Sequence, residues 1–131
     1  MQHSILCLDD EAHILDALER IFRKKYKVFK TTSPKEALDI LRENTVSLII
    51  SDQRMPDMTG VEFFEKSISI QPDTIRILLT GYTDIESVVA AINSGQIYRY
   101  VTKPWDTREI EITVAQGIEK FELTATLKEK H

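Results

Sequence analysis

Five short runs, dense in Ile, Val, Leu and Tyr and almost free of charge, alternate along this chain with longer stretches of helical periodicity. The runs cover 4–8, 28–31, 46–51, 75–80 and 98–102. Such nearly continuous apolar character fits strands buried on both faces better than strands with one wet face. Between them, Ile14, Leu15, Leu18, Ile21 and Phe22 form one stripe at helical spacing. Ile85, Val88, Val89 and Ile92 form a second, and Ile110, Val114, Ile118 and Phe121 a third. A β-α order repeated five times leaves few architectures. Parallel strands need long crossovers of one hand, which places helices on both faces of the sheet: a doubly wound α/β fold.

The helix starts are marked independently of the periodicity. Ser33…Glu36, Thr59…Glu62, Thr83…Glu86 and Asp106…Glu109 match or resemble the capping box, in which two side chains satisfy orphan amides reciprocally. Pro34 follows Ser33 at the first helical position, where its missing N–H costs nothing. Gly95 suits a helix C-terminal cap. The last stretch, 107–130, is longer than one packing layer needs, at roughly 36 Å if fully helical. Its distal part, 122–131, has only Leu123, Ala125 and Leu127 to bury. Gly117, Thr124 and Lys128 spoil a heptad seam, so a frayed tail or the start of a linker is expected rather than a coiled coil.

A chain of 131 residues that is 42% apolar forms one domain with a real core. No apolar run approaches the roughly 18 residues that span a bilayer, and the N-terminus lacks a basic-then-apolar signal pattern. The single cysteine, Cys7, lies inside the first apolar run and reads as a buried structural thiol without a disulfide framework. Together these features lead us to expect a cytoplasmic protein. The net charge is −4 with Lys and Arg scattered, so no basic stripe is available for nucleic acid.

Chemistry-bearing residues gather at the ends of the runs. Asp9 and Asp10 follow the first, Asp52 the third, Thr80 ends the fourth and Lys103 follows the fifth. If the runs are parallel strands, all emerge at the carboxyl rim, where open α/β sheets bind their ligands. Carboxylates crowded there repel and raise one another's pKa unless a cation intervenes. Magnesium takes a few carboxylates, waters and a phosphate oxygen, a set this rim can supply. Lys103 adds a point charge, aimed by the restricted backbone at Pro104. Thr80 adds a hydroxyl, and Gly81 leaves an approach open. Each residue also has a plain structural reading. Asp10 or Glu11 can cap the next helix, Thr80 a turn, Lys103 can be solvated and Tyr100 packed. His3 and His13 are too isolated to be ligands, and His13 reads as a surface helix residue. The set as a whole favours a site.

The motifs Leu8-Asp9-Asp10-Glu11, Asp52-x-x-Met55-Pro56-x-x-x-Gly60, Leu79-Thr80-Gly81 and Tyr100-x-x-Lys103-Pro104 occur in this order. With them the chain resembles the receiver domain of bacterial two-component response regulators over residues 3–121. Residues 122–131 are left as a helical extension or the start of a linker to an absent output domain. The resemblance implies a flavodoxin-like receiver fold: a five-stranded parallel sheet in the order 2-1-3-4-5 with five helices. It further implies that Asp52 is the phosphoacceptor, with Asp10 binding Mg²⁺ directly and Asp9 mainly through water. Asp52 itself and the backbone carbonyl of Arg54 would complete the protein's share of the coordination. Thr80 and Lys103 would grip the phosphoryl oxygens, Tyr100 would be the aromatic switch, and the bond from Lys103 to Pro104 would be cis.

The implied switch surface comprises the helix at 84–93, the strand at 98–102 and the helix from 107. The implied partners are a sensor histidine kinase or histidine phosphotransferase, an output domain in a longer protein, and a second copy on phosphorylation. Neither nucleic acid nor membrane is among them. The chain would not be an enzyme acting on outside substrates. Arg54 and Tyr82 stand where receivers vary and tune phosphate lifetime, and a bulky Tyr82 is expected to shield the acyl phosphate. Trp105 is less usual, and similar to receivers attached to phosphodiesterase or transcription-activating outputs. An aspartyl phosphatase would need Asp-x-Asp after the first strand, and a flavin carrier a Ser/Thr/Gly-rich loop there. The acidic loop offers neither. A receiver used as an interaction domain without phosphorylation stays open.

Overall fold

The computed structural model describes residues 2–81 and 84–129. Strands and helices alternate strictly: β1 (Ser4–Leu8), α1 (Ala12–Phe22), β2 (Lys27–Thr31), α2 (Pro34–Glu43), β3 (Leu48–Asp52), α3 (Gly60–Ile70), β4 (Ile75–Thr80), α4 (Ile85–Asn93), β5 (Arg99–Thr102) and α5 (Thr107–Glu129). The five strands form one parallel sheet in the order β2-β1-β3-β4-β5. The doubly wound architecture expected from the periodicity is therefore present, in the strand order that the resemblance implies.

Period-two alternation sorts the strand residues onto two cores. Ile5, Cys7, Leu48, Ile50, Ile77, Leu79 and Val101 pack against Leu15, Leu18 and Phe22 of α1 and Ile110, Val114 and Ile118 of α5. On the other face, Leu6, Leu8, Ile49 and Leu78 meet Ala37 and Leu41 of α2, Phe63 and Phe64 of α3, and Val88 and Ala91 of α4. Cys7 is wholly buried, and burial pushes its thiol up to about 12. β1, β3 and β4 are buried on both faces, whereas the edge strands β2 and β5 are half-exposed. The expectation of five fully buried strands is corrected at those two edges, where each strand has a neighbour on one side only.

The caps follow the expected chemistry. Ser33 accepts from the Glu36 amide, Thr59 and Glu62 close a reciprocal box, and Asp106 accepts from the Glu109 amide. Thr83, the first residue of the expected box at α4, lies outside the described residues. Gly95 follows α4 with φ +84°, a left-handed conformation in which a side chain would be strained. Two helix readings need correction. Val89 is 43% exposed, so the buried stripe of α4 runs through Val88 and Ala91 instead. The distal part of α5 is not frayed: the helix continues to Glu129. Lys128 pairs with Asp73, and Phe121 and Ala125 share a groove with Ile70 and Pro72. Among the described residues, no helix is long and apolar enough to cross a membrane.

Candidate functional site

The crossovers leaving β1 and β3 run to opposite faces of the sheet, so a crevice opens beyond the carboxyl ends of these two strands. Register brings the acids together there. Leu8 pairs with Ser51, so the following residues, Asp9 and Asp52, stand side by side at the rim. One carboxylate oxygen from each of Asp9, Asp10 and Asp52 lies within 4.8 Å of the others. Asp9 and Asp52 are buried and Asp10 is exposed.

Lys103 enters from the other side of the crevice. Its Nζ lies 3.0 Å from Asp9 Oδ2 and 3.0 Å from Asp52 Oδ1. A backbone bond places it: the Lys103 amide donates to the Thr80 carbonyl at 2.9 Å, extending the β4–β5 pairing. The bond to Pro104 is cis, as the resemblance implies. Trp105 then packs against the α1/α5 core, the local role expected of it. Asp9 Oδ1 accepts from the Glu11 amide at 2.9 Å. Glu11 occupies the N-cap position of α1 with no side-chain cap bond. The capping alternative for Asp10 and Glu11 therefore gives way: the acid serving this turn is Asp9.

The electrostatics show a cluster short of positive charge. Burial pushes the Asp52 carboxyl up, against the hydrogen bond from Lys103, with Asp9 and Asp10 adding repulsion. Asp9 is likewise raised by burial, against the Glu11 amide and Lys103. Burial pulls the Lys103 ammonium down, but its bonds to Asp52 and Asp9 outweigh that and raise it. Three hard oxygen donors, with no nitrogen or sulfur among them, fit a hard divalent cation.

A carboxyl with a raised folded-state pKa binds protons more tightly when folded, so its contribution to stability is lost as pH rises above the ordinary carboxylate range. Asp52→Asn removes that penalty. In metal-free buffer it is expected to melt above wild type near neutral pH, with the difference shrinking towards about pH 4. Calorimetry across a pH series checks this. A wild type more stable than Asp52→Asn at neutral pH would mean that Lys103 fully compensates the cluster.

The remaining candidates divide. Thr80 is buried, and its hydroxyl donates to the Gly81 carbonyl at 3.3 Å. Tyr100 is 40% exposed. The register pairs Leu78 with Tyr100 and Thr80 with Thr102, so Thr80 and Tyr100 share the sheet face that α4 covers. Arg54 lies at the mouth of the crevice with its side chain exposed, and grips Asp84 with a bidentate fork. Nε donates to both carboxylate oxygens at 2.9 Å and Nη2 donates to Oδ1 at 2.6 Å. Asp84 occupies the N-cap position of α4. Tyr82 lies outside the described residues.

Sequence reasoning missed Asp84 as a site residue and Gln53 as a brace. Gln53 accepts from the Gly60 amide through its carbonyl and from the Val61 amide through Oε1. The signal for Asp84 was an unpaired opposite charge at Arg54, but only folding brings residues 30 positions apart together.

A doubly wound parallel sheet with three carboxylates and a lysine at its switch point defines a class of α/β module whose acidic rim could hold a divalent cation. The sequence profile of the response regulator receiver domain matches residues 5–115. The chain belongs to the response regulator receiver domain family.

Over 118 residues it is 40% identical to the hydrogenase transcriptional regulatory protein HoxA of Cupriavidus necator, covering 90% of this chain and 24% of that protein. It is 31% identical over 121 residues to the C4-dicarboxylate transport transcriptional regulatory protein DctD of Rhizobium meliloti, covering 92% and 26%. The chain thus spans about a quarter of the length of these relatives. Among solved structures, the signal receiver domain of an HD domain-containing protein from Pseudomonas fluorescens superposes with a TM-score of 0.88 at 32% identity, covering 95% of this chain and 93% of that one. A structure described as adenylate cyclase from Rhodopirellula baltica gives 0.94 at 31% identity, covering 98% and 96%.

Proposed function

We propose that this receiver domain takes a phosphoryl group onto Asp52 from a phosphohistidine of a sensor kinase or phosphotransferase, and that the modification resets its α4–β5–α5 surface. The observation that carries the reading is the Asp52 carboxylate held 3.0 Å from Lys103 beside Asp9 and Asp10. An Asp52 oxygen attacks phosphorus in line, the P–N bond breaks, and the imidazole leaves with the bonding pair. The product is an acyl phosphate that water later cleaves. Lys103, already at the nucleophile, neutralises charge on the transferring oxygens. Asp9, Asp10, Asp52 and the Arg54 carbonyl would hold Mg²⁺, which when bound offsets the negative charge of the acids and the phosphoryl oxygens.

Thr80 then turns its hydroxyl from Gly81 to the new oxygens, and Tyr100, on the same sheet face, moves inward into the space released. This is a local packing change that biases a two-state surface. The domain so read catalyses only its own modification and its removal. It works in the cytoplasm, contacts neither nucleic acid nor membrane, and pairs with a second copy when phosphorylated. Residues 3–121 form the receiver, and 122–131 are a helical extension or the start of a linker to an output domain. Intact mass after incubation with acetyl phosphate and Mg²⁺ tests the reading. Wild type is expected to gain one phosphoryl group, and neither Asp52→Asn nor wild type pretreated with EDTA should gain any. No gain from any donor, a panel of histidine kinases included, would turn the reading to a phosphorylation-independent interaction domain.

A further inference from the structure

The Arg54–Asp84 pair has a place in the site that the roles above leave unused. Arg54 lies two residues past Asp52, and Asp84 lies four past Thr80 at the head of α4. Their fork therefore ties the loop after β3 to the loop after β4, on either side of a cleft of about 360 Å³. Asp10, Glu11, Asp52, Arg54, Gly81, Asp84 and Lys103 line that cleft. Among the described residues, Arg54 and Lys103 are the cations that line it, and Lys103 is already engaged by Asp9 and Asp52.

Three physical points bear on what happens when Asp52 is phosphorylated. The phosphoryl group adds roughly two negative charges and three strong acceptors to a cleft already rich in acid. A guanidinium binds phosphate oxygens with the same planar fork that it offers a carboxylate. Finally, the Arg54 side chain is 75% exposed, so turning it costs little packing, whereas Asp84 is 14% exposed and held at the helix.

We infer that Arg54 exchanges partners: it grips Asp84 before phosphorylation and the Asp52 phosphoryl group afterwards. This inference rests on the reading that Asp52 accepts the phosphoryl group. In the first state the fork braces the start of α4 against the end of β3. In the second, the phosphoryl group and Asp84 compete for one guanidinium, and its departure releases the head of α4 for the surface change. Arg54 thereby couples the state of the phosphoacceptor to α4. The coupling is reciprocal, so weakening the Asp84 pair strengthens binding of a phosphoryl group.

The test uses beryllofluoride with Mg²⁺ as a stable phosphoryl mimic on wild type, Arg54→Ala, Asp84→Ala and the double variant. Side-chain replacement leaves the Arg54 carbonyl in place. Binding is followed by calorimetry and by the fluorescence of the single tryptophan, Trp105, two residues past Lys103. Urea unfolding in metal-free buffer verifies that each variant is folded. Asp84→Ala is expected to tighten binding about fivefold and Arg54→Ala to weaken it by a similar factor. On the Arg54→Ala background, Asp84→Ala should change little. Equal tightening with and without Arg54 would overturn the exchange and leave the fork as a static brace. Unchanged affinity in all variants would overturn it as well. Failure of the function proposed above looks different: wild type would then bind no beryllofluoride and gain no mass on Asp52.

Discussion

Lys103→Met is expected to lower the rate of phosphoryl uptake from acetyl phosphate by roughly 10²–10³-fold, the usual loss when one preorganised charge-stabilising donor is removed. Methionine keeps an apolar stem, so most packing along the side chain survives. What disappears is the ammonium that bridges Asp9 Oδ2 and Asp52 Oδ1 at 3.0 Å each. Both carboxyls are already raised by burial, and Lys103 is among the groups holding them down. Without it their folded-state pKa values rise further.

The variant should therefore lose stability as pH rises above the ordinary carboxylate range, by about 2 kcal/mol near neutrality, and approach wild type in acid. Mg²⁺ should restore part of the stability but little of the rate, because a cation held by the acids would compensate them without replacing a donor at the proposed nucleophile. Stopped-flow uptake and urea unfolding across pH separate the two effects. A rate within threefold of wild type, as an approximate threshold, would remove Lys103 from the reaction.

Gly60→Ala is expected to cost about 2–3 kcal/mol, or a fall in Tm of roughly 10 °C for a domain of this size. A Cβ at Gly60 would stand 2.5 Å from the Asp52 carbonyl oxygen and 2.6 Å from Leu78 Cδ1. The leucine methyl can give way, but the Asp52 carbonyl is backbone at the end of β3, and Gly60 is itself tied by its amide to the Gln53 carbonyl. The strain thus lands on Asp52, the proposed phosphoacceptor, so phosphoryl uptake should fall along with stability. Gly81→Ala is the control. Among the described residues its nearest neighbour would be Asp84 Oδ2 at 4.0 Å, so its cost should stay within about 1 kcal/mol. Calorimetry on both variants checks the pair. Equal melting temperatures would mean that α3 shifts freely and that the close approach does not position Asp52.

These two residues differ in how far the sequence exposed their roles. Lys103 was legible because its type, its place after an apolar run and the following proline all pointed to one rim. Gly60 entered only as a letter in a motif. Its requirement comes from the distance between α3 and β3, which no local pattern encodes. The same divide runs through the secondary structure. Ser33, Thr59 and Asp106 announced their helices because capping is a bond between residues three apart. The face of α4 was misplaced at Val89 because Ile, Val and Ala differ too little in apolarity to show which side meets a sheet. The distal turns of α5 stayed open between a frayed tail, a helical extension and the start of a linker because their partners, Asp73, Ile70 and Pro72, lie some fifty residues away.

Local chemistry was enough to determine the order of elements, the wrapping of one parallel sheet by helices on both faces, and the presence of acids, a hydroxyl and a lysine at its carboxyl rim. Those properties follow from periodicity, capping and handedness, each acting over a few residues or imposed on every chain alike. Tertiary structure alone decided the distances: Asp9 beside Asp52 through the register of β1 on β3, Lys103 between them, and Arg54 forked onto Asp84 across the mouth of the cleft. Coulombic and hydrogen-bond energies turn on tenths of an ångström between groups remote in sequence, and only the packed sheet sets such separations.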